Sequence, residues 1–577
     1  MTLVRLFLTG LIGTAPLAAG APELVYVPQG AIHVEGNRLV DSTGHAFLLR
    51  GTAMPFRKAA DAEQLTASVF SQIGSRWNMN ALRLQLSVAM DVADPIGYIA
   101  QVKRVVHDAN AMGLVAILGP HDESDTAGAP TPRMTTFWQK WASAFRDEPM
   151  TMFDLYAQPK STYLPGAAAG VHSARDWQFW LHGGTTMLGG TSPGMQALAD
   201  VVRSTGARQT IVAMTLDENP LLDGFDASDY LHDANTVYEV CPLHADNPTD
   251  ADREQHFGAA AAQVPVLAND WDLQLGSNNA ECQSIPTAAG AAAALIKADL
   301  TFFDQHGISW TSSFFQTGKL IKDTVEYFPT QLNASWVCGQ AASPSPGMGE
   351  TLRYHLWGAE NSDAITVNGA AGGLAIAPGS VAVVYGQPVL TRATGLGQGT
   401  EVVLTDATGR RRLEPFYVGA SSINFVVPAD LSLGTVAVEV LNEGGPDLTG
   451  RMILQPVAPG LFSATGNGRG PVIGFDADSG RATFACDANG CATVAMAAPA
   501  RVRLIGTGIR GVAGLDAIRV TVGGVVARVV SAGASDGDFG TDEVVIEMGP
   551  EFRGMGEVDL ILTAAGQVAN CVRMRVE

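Results

Sequence analysis

The stretch Tyr98–His121, YIAQVKRVVHDANAMGLVAILGPH, decides the reading of the fold. Apolar residues recur at helical spacing from Tyr98 to Gly113, the glycine closes the helix, and GLVAILGPH follows at once as a short apolar strand. The same alternation extends from about Phe47 to Phe315. Its strand-like runs are AFLLRG at Ala46, MNALRLQ at Met79, GLVAILGPH at Gly113, TMFDLYAQ at Thr151, QTIVAMT at Gln209, NTVYEVC at Asn235, VPVLAND at Val264 and GISWTSSFF at Gly307. Helical segments such as GMQALADVVRSTGA, from Gly194, separate them. Strand and helix alternating eight times over about 250 to 300 residues predict an α/β fold, a (β/α)8 TIM barrel. A doubly wound open sheet would need a glycine-rich phosphate turn after an early strand, and the sequence has none. In a barrel of this kind chemistry sits where the strands end, so the residues trailing each run are the candidates.

The chain is 577 residues long and 46% hydrophobic, more than one ordinary domain needs. A formal net charge of -21, from 57 acidic and 36 basic residues, argues against nucleic acid or an anionic membrane as partner. At the N-terminus, MTLVRLFLTGLIGTAPLAAGAP places Arg5 before the apolar run Leu6–Leu17, and Ala18 and Gly20 suit a peptidase. Residues 1–20 therefore read as a bacterial-type signal peptide, with the protein secreted or at the cell surface. No later run is long enough for a transmembrane segment. Of six cysteines, Cys486 and Cys491 bracket the turn DANG and form the candidate disulfide. None has zinc-ligand spacing with histidine, so neither metal nor cofactor is expected.

The barrel is expected over residues 21–340. AASPSPGMG and the amphipathic ETLRYHLWG mark a linker and short helix, 341–371. Beyond Ala375 the chain is rich in Val, Gly and Thr with period-two alternation, and a weak repeat relates YVGASSINFVVP at Tyr417 to SAGASDGDFGTDEVVIEM at Ser531. Two all-β immunoglobulin-like sandwich modules, 372–470 and 471–577, account for this. They carry no cluster of catalytic residue types and read as spacer, adhesion or surface-attachment modules.

Several motifs in order resemble glycoside hydrolase family 5, the cellulase-type retaining barrels. VEGNRLVDSTGHAFLLRG resembles the hairpin leading into that family's first strand. MNALRLQ resembles its second strand with Arg83 as the active-site arginine, VAILGPH its third with His121 at the tip, FWQKWASAFRDEPMTMFDLYAQP its fourth and VPVLANDWD its seventh. The second half is similar, through APGSVAVVYG, INFVVP, APGLFSATGNG and VTVGG, to a C-terminal domain of unknown function on secreted bacterial proteins. The resemblance implies an O-glycosyl hydrolase acting on an oligosaccharide or polysaccharide, and it departs from the family where the chemistry lies. The family's fourth strand ends in Asn-Glu-Pro, with the glutamate as acid/base; here Ala157, Gln158 and Pro159 stand there. Its nucleophilic glutamate is replaced by Asp270. Cys241 and Leu243 hold the places of the sixth strand's histidine and aromatic residue, and Ser313 that of the eighth strand's tryptophan; Arg83, His121 and Trp310 persist.

Retention requires two carboxyl groups about 5 to 5.5 Å apart. An amide at 158 has no proton to give, and losing a general acid costs about 10² to 10⁴ in rate. Aspartate is shorter than glutamate by one C–C bond, roughly 1.5 Å. The expectation is hydrolase chemistry that is weak or altered, with Asp217 and Glu218 or Asp122 and Glu123 as relocated acids. The alternative is a non-catalytic carbohydrate-binding or cell-surface pseudoenzyme, its barrel mouth lined by Tyr156, Trp271, Trp310 and Phe314 for stacking on sugar rings. Glu239 points either into the barrel or toward a helix; alternation alone does not choose. The oligomeric state is not legible.

Overall fold

The computed structural model describes residues 23–577 apart from 123–127, 158, 161–171, 217–221, 223–224, 243–248, 272–290, 331–346, 361, 387–398, 420–421, 443–446 and 538. Eight parallel strands close into a barrel in chain order: β1 (Arg50–Phe56), β2 (Ala81–Ser87), β3 (Val115–His121), β4 (Thr151–Asp154), β5 (Ile211–Met214), β6 (Thr236–Val240), β7 (Val266–Trp271) and β8 (Ser309–Phe314), with β8 pairing back onto β1. This is the TIM barrel that the alternation predicts. The opening stretch supplies α1 (Pro95–Ala111) and β3. Pro95 sits in the first turn, where its missing N–H costs nothing, and the Asp94 carboxylate accepts from Gly97 N at 2.9 Å. Gly113, at φ 80°, then turns the chain into the strand.

Inside the barrel the side chains form two tiers. The lower is apolar: Ala81, Val115, Ile117, Met152, Val212, Val237 and Leu267 pack against Ile32, Leu39, Phe47 and Leu49 from the N-terminal hairpin, which plugs the bottom. Two residues further along four of these strands, in the same phase, stand Arg83, Asp154, Glu239 and Asn269. Period two therefore puts a polar tier directly above the apolar one. The outward faces pack against the helices, among them α2 (Pro132–Phe145), α3 (Gly194–Ser204) and α4 (Ala291–His306), in the largest core of the molecule.

Helix α5 (Gly349–Leu356) leads from the barrel to two β-sandwich modules. The first begins at the strand Ala364–Asn368, inside the segment expected to be linker, and runs to Leu448–Leu454. The second begins at Gly460–Leu461, ahead of the expected boundary at 471, and ends with Val572–Val576. Each has its own apolar core, one built around Phe425, Val436 and Val438, the other around Val502, Leu504, Val520 and Ile546. In the second, the strands Phe484–Asp487 and Gly490–Thr493 form a hairpin in which Cys486 and Cys491 face each other and are joined by a disulfide. Cys241 and Cys571 are both buried.

Candidate functional site

The polar tier is organised around Arg83, whose strand β2 sits in register with Ala53 of β1 and Ile117 of β3. Its Nε donates to Asp154 Oδ2 at 3.1 Å and its Nη2 also bonds that oxygen. Glu239 Oε1 lies 3.8 Å from Arg83 Nη2 and accepts from Asn269 Nδ2 at 2.5 Å; Asn269 Oδ1 in turn accepts from Thr311 Oγ1 at 2.5 Å. Five residues on strands β2, β4, β6, β7 and β8 are thus joined across the barrel. Glu239 points inward, which settles the orientation that alternation left open.

Gly119 makes room for this arrangement. A Cβ there would stand 2.6 Å from Asp154 Oδ2 and 3.2 Å from Arg83 Nη2, so a side chain on β3 at that level collides with the ion pair.

The charges do not balance. One guanidinium faces two wholly buried carboxyls, and Asp270 adds a third acid within electrostatic reach. Burial disfavours the charge on Arg83, but Asp154, Glu239 and Asp270 more than offset this and raise its pKa above the ordinary value. Burial also raises both inner carboxyls. For Asp154 the charge of Arg83 and the two N–H groups that Arg83 donates oppose the rise. Glu239, buried and facing the charge of Asp154, is pushed up to about 8 and is neutral at neutral pH. Its Oε2 has no hydrogen-bond partner among the described residues.

Asp270 reaches the strand end by a different route. The pairing of β7 with β8 shifts between Asn269 and Trp271, and Asp270 is the extra residue, at φ 51°. This bulge takes it out of the alternation: Asn269 stays inward, Trp271 turns outward, and Asp270 is left half-buried between them. Left-handed backbone at a residue other than glycine stores about 1–3 kcal/mol, sustained only where its surroundings over-determine it.

The other sequence-derived candidates are not all brought together. His121 is half-buried at the end of β3, 3.4 Å from Arg57 Nη1 through its Nε2. Asp122 is paired with Arg133 at 3.1 Å. Gln158, Glu123, Asp217, Glu218 and Leu243 lie outside the described residues. The expected aromatic lining is corrected in three of its four members. Trp310 is 0% exposed and Trp271 2%; they meet edge-on at 5.9 Å, and Trp271 packs against Phe303 of α4, so both belong to the layer between barrel and helices. Tyr156, 5% exposed, is part of the same core. Phe314 alone is half-buried at a strand end. A concavity beside the exits of β4 and β5 is lined by Pro159, Lys160, Trp180 and Leu216.

Asp154, Asn269 and Thr311 are not singled out in the sequence. The signal that would find them is a polar residue within an otherwise apolar barrel strand, in phase with Arg83: Asp154 follows Met152, and Asn269 follows Leu267.

The fold is thus a closed eight-stranded parallel barrel with a buried arginine at its centre. Residues 40–312 match the family described as Cellulase (glycosyl hydrolase family 5), and they form a cellulase-like barrel of that family. Solved structures similar to the chain include the catalytic domain of Thermobifida fusca endoglucanase Cel5A, with 16% identity, 57% of this chain and 97% of that chain covered, and a TM-score of 0.39. The alkaline cellulase K catalytic domain follows at 15% identity, 58% and 97% coverage and a TM-score of 0.39. A Bacteroides ovatus GH5 xyloglucanase in complex with a XXXG heptasaccharide has 12% identity, 54% and 75% coverage and a TM-score of 0.35. No curated protein matches the chain.

Proposed function

We propose that this is an exported carbohydrate-active protein whose barrel hydrolyses O-glycosidic bonds in a weak or altered form, with Asp270 as the attacking carboxylate. The observation that carries the reading is the placement of Asp270: a strained bulge lifts it out of β7 at the catalytic end of a family 5 barrel. Beneath it Arg83 supplies positive charge, and a largely neutral Glu239 avoids adding a second full negative one. Glu239 is wholly buried and touches no substrate; it is a positioning residue, holding Asn269 and through it the bulge.

At the acid/base position the chain has Gln158, which can hydrogen-bond a leaving oxygen but cannot protonate it. Attack by Asp270 therefore succeeds only where the leaving group departs as an anion or another acid supplies the proton. Asp217, Glu218, Glu123 and Asp122 are the candidates for that acid; Asp122 Oδ2 lies 3.1 Å from Arg133 Nη1. His121 and Arg83 would orient the sugar and the nucleophile, and Phe314 offers the one aromatic face for stacking among the four expected.

The test is hydrolysis of aryl β-glycosides with nitrophenolate leaving groups, which need no proton, by wild type and Asp270→Asn. Turnover in wild type that disappears in the variant supports the reading. Absence of turnover in both favours the second reading, a carbohydrate-binding protein without catalysis, which the glutamine at 158 recommends; glycan-array binding then decides for or against it.

A further inference from the structure

Where the barrel, helix α5 and the second sandwich meet, three half-buried arginines come together: Arg76 from the barrel, Arg353 from α5 and Arg469 from the second module. Arg76 lies within electrostatic reach of the other two. Among the described residues no carboxylate stands within ion-pair distance of any of them. This is not for want of acids in a chain with 57. Glu326, the acid whose charge Arg76 feels, is itself held by Asn467 Nδ2 at 3.1 and 3.3 Å.

The guanidinium faces of Arg353 and Arg469 lie against aromatic rings, while an edge of each is left open. Arg353 lies between the rings of Trp357 at 4.5 Å and Trp77 at 5.7 Å, and Arg469 lies over Tyr327 at 4.6 Å. Arg76 makes one long hydrogen bond, to Gln72 Oε1 at 3.4 Å. The buried Nε atoms of Arg353 and Arg469 have no partner. Gly372, at φ 73°, packs directly against the Arg76 guanidinium: a Cβ there would stand 2.5 Å from its Nε. Stacking fixes a guanidinium plane without using its in-plane donors, and those donors match the two oxygens of a carboxylate or sulfate. Burial, helped by the like charge of Arg76 and opposed by the charges of Tyr354 and Glu350, depresses Arg353 to about 10.

We propose that this seam is an anion-binding site, taking a small oxyanion such as the carboxylate or sulfate of an acidic saccharide, or the free inorganic ion, between Arg76, Arg353 and Arg469. The bound anion would tie together three parts of the chain that each contribute one arginine. The site is separate from the strand-end carboxylates and does not depend on the chemistry proposed for them.

The experiment uses the full chain, with thermal melts and calorimetric titration against sodium sulfate, sodium phosphate and galacturonate, and sodium chloride at matched ionic strength as control. Wild type should show saturable stabilisation by an oxyanion beyond the chloride effect. Arg469→Gln should weaken that binding by about tenfold or more, the share of one charge-assisted bond. In anion-free buffer Arg469→Gln should melt no lower than wild type, because a like charge is removed from the cluster. Arg76→Gln, in another part of the chain, should weaken binding in the same way. Tighter binding of galacturonate than of sulfate and phosphate would assign the site to a sugar acid; tighter binding of the inorganic ions would assign it to a free anion. The proposal is overturned if no oxyanion acts beyond chloride, or if both variants bind it as wild type does.

Discussion

Arg83 is the charge on which the barrel interior balances. Replacing it with methionine leaves Asp154 buried without its cation, and breaking a buried pair in this way costs about 3–5 kcal/mol. Urea denaturation at pH 7 measures this, and a loss below about 1 kcal/mol would show that the interior is wetter than its geometry implies. Glu239 predicts the opposite sign. Its folded pKa is raised above the ordinary 4.5, to about 8, so between those values the native state holds a proton that the unfolded state has lost. Stability therefore falls as pH rises through that window. Glu239→Gln keeps an acceptor for Asn269 and removes the titration, so its stability between pH 5 and 9 should be flatter than wild type; an unchanged slope would mean Glu239 does not titrate there. Gly119→Ala should cost about 1–3 kcal/mol by forcing a methyl onto the ion pair.

At the scale of the element, the bulge in β7 explains both the placement of Asp270 and the misreading of its neighbours. In an unbroken strand Trp271 would face inward with Leu267 and Asn269. One extra residue reverses the phase, and Trp271 is buried against Trp310 and Phe303 instead. The strand, its length and its position in the barrel are legible in VPVLANDWD; the bulge is not, because it arises from pairing with β8, which a single strand's pattern does not contain. Asp270→Gly should relieve the left-handed backbone, raising stability by about 1 kcal/mol while abolishing any Asp270-dependent turnover. A destabilised glycine variant would mean that the aspartate side chain holds the bulge and is not merely carried by it.

For the whole molecule, the seam that joins barrel to modules is a second polar site. Helix α5 is fastened to α4 by His355, whose Nε2 lies 3.0 Å from Asp304 and whose Nδ1 lies 3.2 Å from Glu360. Burial alone would lower the pKa of His355, but the two carboxylates outweigh it and the net shift is upward from 6.5. The histidine therefore contributes stability that is fully present below about pH 6.5 and lost as pH rises through the raised folded value. His355→Gln should abolish that part of the pH dependence while leaving the part due to Glu239. Thermal melts from pH 5 to 9 on both single variants separate the two, and a wild-type slope in His355→Gln would remove this fastening from the account.

By itself the sequence determines the barrel, the two β modules that follow and the cysteine pair of the terminal hairpin. Each rests on a local pattern: eight alternations of strand and helix, period-two runs of Val and Thr, and two cysteines across a short turn. The identities of Gln158 and Asp270 are equally plain without coordinates. What only the tertiary structure decided is which side chains meet. Asp154, Glu239 and Asn269 come from strands 30 to 115 residues apart and join Arg83 because barrel closure brings their inward phases to one level. Arg76, Arg353 and Arg469 adjoin because a C-terminal module folds back onto the first domain. A contact across hundreds of residues leaves no periodicity in the chain, since its energy belongs to the packing of completed elements and not to the propensities of their residues.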